Sequence, residues 1–265
     1  MAPRCLGALA TEEQLQTMRL GVTLPTFNVR PQAALDAAAR AESLGIHGVF
    51  TFDHLWPMGD PTRPSLSAYP LAAAVAARTR HLQIGTLVAR IGLLPDEVVL
   101  ASLLGLSKIA GRRFIAGIGT GDEASLGEHE RLGIPYLSAT DRRRSLTTVA
   151  QTLAEEGVEH WIGAGGIATN EVARTTGATL NLWGVSADQV AEETSRGTTV
   201  SWAGPLPKQA GAGSELLRAL ADAGASWAVW GWPSSLETVA EVAEAAGIEL
   251  GFGALGDGGA LPTPE

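Results

Sequence analysis

A pattern that repeats, rather than any one residue, most constrains this chain. A short run rich in Val, Ile and Leu is followed by a longer Ala-rich segment with helical spacing, and the pair recurs eight times. The first unit reads as a strand over Arg19–Leu24 and a helix over Pro31–Leu44, with Pro at its start and Gly45 just past its end. Strand His47–Phe52 follows with helix Ser67–Arg80, then Leu82–Val88 with Pro95–Ala110, and Arg113–Gly119 with Thr140–Glu156. The second half repeats the unit over Val158–Gly163 with Ala168–Thr176, Thr179–Trp183 with Ala187–Ser195, Thr198–Ala203 with Ser214–Ala223, and Trp227–Gly231 with Ser235–Ala246. The strands are continuously apolar rather than alternating, as parallel strands covered on both faces must be. Eight such units in about 230 residues predict an α/β fold, a (β/α)8 TIM barrel. An open doubly wound sheet is the alternative that periodicity leaves open.

Composition narrows the function classes. With 265 residues, 45% apolar and 18% charged, the chain has enough apolar surface for one large core. A net charge of −9 argues against general affinity for nucleic acid or for an anionic membrane. The single cysteine, Cys5, excludes a disulfide framework and a Cys-rich metal site. The longest apolar stretch, Val98 to Ser107, falls short of the roughly 20 residues that span a bilayer. Met1 to Ala10 carries an apolar piece too short for a signal peptide, and Thr11-Glu12-Glu13 follows at once. Residues 1–17 are therefore read as a disordered leader, 18–252 as a single barrel domain and 253–265 as a flexible tail, in a cytoplasmic protein.

In a barrel the chemistry sits on loops that follow the strands. The loop after the second strand reads Phe52-Asp53-His54-Leu55-Trp56-Pro57. An imidazole there can point into the mouth, bond a cofactor ring or move a proton near neutral pH, or it can merely pin the loop. The fourth loop, Gly117-Ile118-Gly119-Thr120-Gly121-Asp122-Glu123, lets backbone N–H groups approach a flat or anionic ligand, although a tight barrel corner explains the glycines equally well. Asp122 and Glu123 sit where an inward carboxylate could act as acid or base, the alternative being ordinary solvated acids. The fifth loop, Gly163 to Asn170, ends in a Thr/Asn cap at a helix start, a suitable seat for a phosphate. Of the remaining histidines, His47 and His81 stand at strand starts, His129 in a polar turn and His160 in mid-strand, without metal-ligand spacing. The late tryptophans Trp202, Trp227, Trp230 and Trp232 read as core or rim, with some able to wall a pocket. Arg142, Arg143 and Arg144 read as a solvated helix face, the alternative being contact with an acidic ligand.

Taken in order, these segments resemble the bacterial-luciferase-like family of flavin and deazaflavin oxidoreductases. The resemblance runs through Leu20-Gly-Val-Thr-Leu-Pro25, Ala41-Glu42-Ser43-Leu44-Gly45, Asp53-His54-Leu55, Ala77-Arg78-Thr79 with Leu82-Gln-Ile-Gly-Thr86, and Pro95. It continues in Gly111-Arg112, Gly117-Ile-Gly-Thr-Gly121, Glu128, Gly133-Ile134-Pro135 and Trp161-Ile162-Gly163. The matching segments are dense from residue 19 to about 176 and thin beyond.

The Asp-His-Leu form is most similar to the branch that uses coenzyme F420, a deazaflavin. That resemblance implies hydride transfer between an organic substrate and F420, with His54 against the cofactor ring and Asp122 delivering a proton. It also implies a cofactor seat from Asp53, Thr86, Leu87, Val88, Gly119, Thr120, Gly121, Gly165, Gly166, Thr169 and Asn170. The family's bulge at Leu87-Val88 implies a cis peptide there. The alternatives are an FMN-dependent monooxygenase of the same fold and a non-catalytic flavin or deazaflavin carrier. One departure is a shortened insertion before the fifth strand, where only Ala154-Glu-Glu-Gly157 separates Leu153 from Val158. The expected partner is a small organic substrate, with no nucleic acid, no membrane and no metal; a homodimer is left open.

Overall fold

The computed structural model describes residues 15, 17–28, 30–57, 59–232 and 235–252. Nine parallel strands are present: β1 (Arg19–Thr23), β2 (Gly48–Thr51), β3 (Gln83–Thr86), β4 (Ala89–Arg90), β5 (Phe114–Gly119), β6 (His160–Gly163), β7 (Thr179–Trp183), β8 (Val200–Pro205) and β9 (Ala225–Gly231). Around them lie α1 (Pro31–Ser43), α2 (Ala68–Arg78), α3 (Asp96–Ala110), α4 (Leu126–Leu132), α5 (Ala139–Glu155), α6 (Ile167–Thr176), α7 (Ala187–Ser195), α8 (Ala210–Asp222) and α9 (Leu236–Ala246). The strand order is β1-β2-β3-β5-β6-β7-β8-β9, and pairing of β9 with β1 and of β3 with β5 closes the ring. The fold is therefore the (β/α)8 barrel, and the open sheet is excluded.

Barrel closure forces large side chains inward against small ones. Phe50, Leu87, Ile115, Trp161, Ala203, Trp227 and Val229 fill the interior. The Phe50 ring stacks on Trp161 at 5.0 Å and meets Trp227 edge-on at 5.8 Å. Room for that ring comes from glycine: a Cβ at Gly21 or Gly85 would lie 2.8 or 2.7 Å from Phe50. Alternation of aromatic and glycine is how a narrow barrel reaches close packing. A second, larger core of aliphatic residues, with Trp202 and Trp230, lies between the sheet and its helices.

At the bottom of the barrel Arg19 donates to Gln83 Oε1 at 2.6 Å, and the His47 Nδ1 accepts from the Leu20 N–H at 2.9 Å. Burial and the nearby Arg19 hold the His47 imidazole down at about 4, outweighing that backbone bond. His47 is thereby a neutral pin between β1 and β2.

Four departures from the sequence expectations have physical causes. Strand three stops at Thr86 rather than Val88, where Thr86 turns its hydroxyl to the Gly117 carbonyl, and the chain resumes as the two-residue β4 beside the end of β5; the Leu87–Val88 peptide is cis, as the resemblance implies. Helix α8 begins at Ala210, four residues before the expected Ser214. Its glycines Gly211 and Gly213 argue against helix by propensity, yet Gly213 allows close packing, since a Cβ there would lie 3.0 Å from Val242. Helix α4 is additional, a short turn closed by Gly133 in the left-handed region. Helix α6 begins at Ile167 with Gly166 at its N-cap, so Thr169 and Asn170 lie in its first turn and do not cap it.

The short connection before the fifth barrel strand is present, with α5 ending at Glu155 and β6 starting at His160. Most of the expected leader and all of the tail 253–265 lie outside the described residues, but Leu15 packs against the core. Among the described residues no helix is long and apolar enough to cross a membrane.

Candidate functional site

The mouth of the barrel, at the C-terminal ends of the strands, holds a buried ionic network next to a glycine-walled cavity. His54, three residues beyond β2, places its Nδ1 2.9 Å from Glu128 Oε1. Glu128 Oε2 accepts the Leu55 N–H at 3.0 Å and an Arg90 guanidinium N–H. Glu128 and Arg90 are only 2% and 4% exposed. Asp53 completes the lacing, its Oδ2 accepting the Arg90 backbone N–H at 2.9 Å. Loop two, β4 and α4 are thus joined through charged side chains that must be paired because they are buried.

Electrostatics follow from these contacts. Burial alone would push the Glu128 carboxyl up, but hydrogen bonds from His54 and Leu55, with the Arg90 charge, hold it below the usual carboxylate range. Asp53 goes the other way, raised chiefly by burial. An ionised Glu128 can only accept, which places a proton on His54 Nδ1, so that in the neutral ring Nε2 is an acceptor. Nε2 makes no hydrogen bond among the described residues. Trp56 flanks the pair: a Cβ on Gly127 of α4 would lie 3.7 Å from its ring.

The cavity, about 390 Å³, opens between the fourth and fifth loops and the start of α5. Its wall includes Val88, Gly119, Thr120, Gly121, Asp122, Gly163, Gly165 and Thr169, with Tyr136, Arg142 and Arg143 across from them. Gly119 is required by Val88, since a Cβ there would fall 2.7 Å from its Cγ2, whereas one at Gly163 would make an ordinary contact of 3.4 Å with its Cγ1. The result is a wall of backbone with a single branched side chain against it. Arg142 is 9% exposed, lies 4.1 Å from the Tyr136 ring centre and leaves its buried Nε without a partner. The Tyr136 hydroxyl is likewise buried and unpartnered. A backbone wall fits a flat group, and unspent donors at Arg142 and Tyr136 beside an uncapped N-terminus at α6 fit an anion attached to it.

The structure thus gathers Val88, Gly119, Thr120, Gly121, Asp122, Gly165 and Thr169 on one cavity. Arg90 links that cavity to His54 and Asp53, since its Cδ would lie 3.7 Å from a Cβ at Gly121. The other expected residues lie elsewhere. Leu87 is in the barrel core, and buried Thr86 donates its hydroxyl to the Gly117 carbonyl at 2.6 Å. Gly166 is not on the wall, and Asn170 turns its amide to Glu193 of α7 at 3.2 Å. Asp122 stands exposed at the rim, so the carboxylate that reaches His54 is Glu128. Arg142 is buried against Tyr136 rather than solvated, whereas Arg144 is exposed and paired with Asp141.

Arg90 and Glu128 join His54 and Asp53 only in the structure. Arg90 had left a signal, since a cation in the apolar run Leu87 to Leu94 must find a buried partner.

Comparison with known proteins gives the family and the fold. The family described as luciferase-like monooxygenase matches residues 18–250. The F420-dependent glucose-6-phosphate dehydrogenase of Kineococcus radiotolerans is 30% identical over 148 residues, which is 54% of this chain and 43% of that protein. The matched part thus spans less than half the length of this curated relative. Among solved structures, an F420-dependent secondary alcohol dehydrogenase bound to an F420-acetone adduct has a TM-score of 0.70 at 15% identity, covering 87% of this chain and 99% of the other. Apo-MsnO8 is similar at TM-score 0.69 and 14% identity, covering 88% and 99%. At such identities these two likenesses show the fold alone.

Proposed function

Given that the chain belongs to the luciferase-like monooxygenase family, we propose that it is an oxidoreductase that binds coenzyme F420 and transfers a hydride to or from a small organic substrate. The observation that carries this reading is the His54–Glu128–Arg90 network set against a glycine-walled cavity with unspent donors at Arg142 and Tyr136. The F420-dependent relative supports the choice of deazaflavin. Val88, Gly119, Thr120, Gly121 and Gly165 would hold the ring edge, and Arg142, Arg143 and the first turn of α6 would take the anionic part. When bound, F420 supplies a ring carbon that exchanges hydride, the protein supplying position and charge.

The work of the chain's own groups follows from the contacts. Arg90 keeps Glu128 ionised, and Glu128 keeps the His54 proton on Nδ1. The free Nε2 can then accept a proton from a substrate hydroxyl, and the imidazolium so formed gains the Glu128 carboxylate as counter-ion. In the reverse direction the same nitrogen returns the proton. Asp122, exposed at the cavity rim, is a second proton carrier on the substrate side.

Ultrafiltration of the purified protein with oxidised F420 and, separately, with FMN tests the reading. Retention of F420 at tens of micromolar is expected. Retention of FMN alone would move the protein to flavin monooxygenase chemistry, and retention of neither would sink the proposal.

A further inference from the structure

Beside the glycine cavity, the mouth also carries a row of rings. Trp183, the last residue of β7, is 50% exposed, and its indole meets Phe52 edge-on with centres 5.9 Å apart. β7 and β2 stand four strands apart in a ring of eight, so an indole that reaches the residue after β2 lies across the barrel axis. The indole also passes close to β9, where a Cβ at Gly231 would lie 3.5 Å from it. Phe52 in turn stacks on Phe27 at 5.8 Å and 5°, and Phe27 lies 6.3 Å from the His54 ring. Trp183, Phe52, Phe27 and His54 therefore form one continuous row that ends at the imidazole. Arg63, at its edge, turns a guanidinium N–H to the Phe27 carbonyl at 3.3 Å.

We propose that this row is the substrate shelf, that it selects an uncharged planar organic substrate, and that Trp183 is its specificity-determining residue. The inference rests on the reading that His54 is where the proton moves. A half-exposed indole backed by two more rings presents ring carbon, which a flat conjugated molecule covers well and a sugar phosphate covers poorly. The row leads a bound ring to His54 and leaves the cavity beside Arg142 and Tyr136 for a different ligand.

The test uses 2-naphthaldehyde as probe and titration calorimetry as readout, on the protein without cofactor and after loading with F420. Saturable one-to-one binding is expected, weakened about tenfold or more by Trp183→Ala and less than about threefold by Trp183→Phe. Glucose 6-phosphate should not compete, and F420 retention should be equal in wild type and both variants. No saturable aldehyde binding, an unchanged affinity in Trp183→Ala, or competition by glucose 6-phosphate would each overturn the proposal. Displacement of F420 by the aldehyde, with weaker F420 retention in Trp183→Ala, would assign the shelf to the cofactor and overturn it as well. Aldehyde binding without any F420 retention would leave the shelf standing and refute the cofactor reading instead.

Discussion

Glu128 shows how a single carboxylate can organise a mouth. Its two oxygens take three donors, from His54, Leu55 and Arg90, in a setting where an unpaired charge is costly. Glu128→Gln keeps the shape and removes the charge, which leaves Arg90 buried without its counter-ion. We expect a loss of about 3–5 kcal/mol in chemical denaturation, the usual cost of breaking a buried pair. The same variant should redistribute the His54 proton between its ring nitrogens, visible in nitrogen-15 NMR of the imidazole. An unchanged midpoint and an unchanged tautomer would show that the pair is not the organiser described above. His54→Ala serves as the contrast. It keeps the Arg90–Glu128 charge pair and removes only the donor to Glu128 Oε1, so it should lower apo stability by roughly 1–3 kcal/mol, the worth of a lost buried hydrogen-bond partner and less than Glu128→Gln costs.

At the scale of elements, the kink between β3 and β4 dictates residue choice on β5. A Cβ at Gly117 would stand 1.9 Å from the Thr86 carbonyl oxygen, a backbone atom that cannot step aside. Gly117→Ala should therefore destabilise the barrel by about 3 kcal/mol or more, or prevent folding. Gly133→Ala, where no atom stands within 4 Å, should cost only the strain of its positive φ. Denaturant midpoints of the two variants separate steric need from conformational need.

His47 gives the pH prediction. Its folded-state value near 4 is depressed below the ordinary 6.5, so the unfolded chain binds the proton first as pH falls. Stability from this pin is whole above 6.5 and declines between 6.5 and 4, by on the order of 2–3 kcal/mol. His129 and His160, both depressed chiefly by burial, slope the same way. In His47→Asn, where the side-chain oxygen can still accept the Leu20 N–H, the melting temperature should fall visibly less between pH 6.5 and 4.5. An identical slope in both proteins would remove His47 from the explanation.

For the whole molecule, eight strand–helix units were readable because hydrophobic period is local, whereas barrel closure, which periodicity left open, is decided by the pairing of β9 with β1. The glycine loops were readable too, although two of their glycines answer to Thr86 and Val88 rather than to a ligand. Glu128 was not readable as a site residue. Its partners Arg90 and His54 lie 38 and 74 residues away, and only closure of the barrel brings them together. Asp122 looked the better acid because it follows the glycine loop directly, but its loop leaves it at the rim. Asn170 looked like a cap, and the helix begins before it.

The reading of the molecule as a hydride-transferring oxidoreductase is tested most directly by cofactor absorbance. Oxidised F420 is mixed with the protein and a panel of primary and secondary alcohols under anaerobic conditions, and its visible absorbance is followed. The structure predicts bleaching with at least one alcohol, the planar conjugated members leading, and at least a hundredfold slower bleaching in His54→Ala, in line with the contribution of one general base. Bound F420 that no alcohol bleaches, or bleaching that proceeds equally without the imidazole, would contradict it.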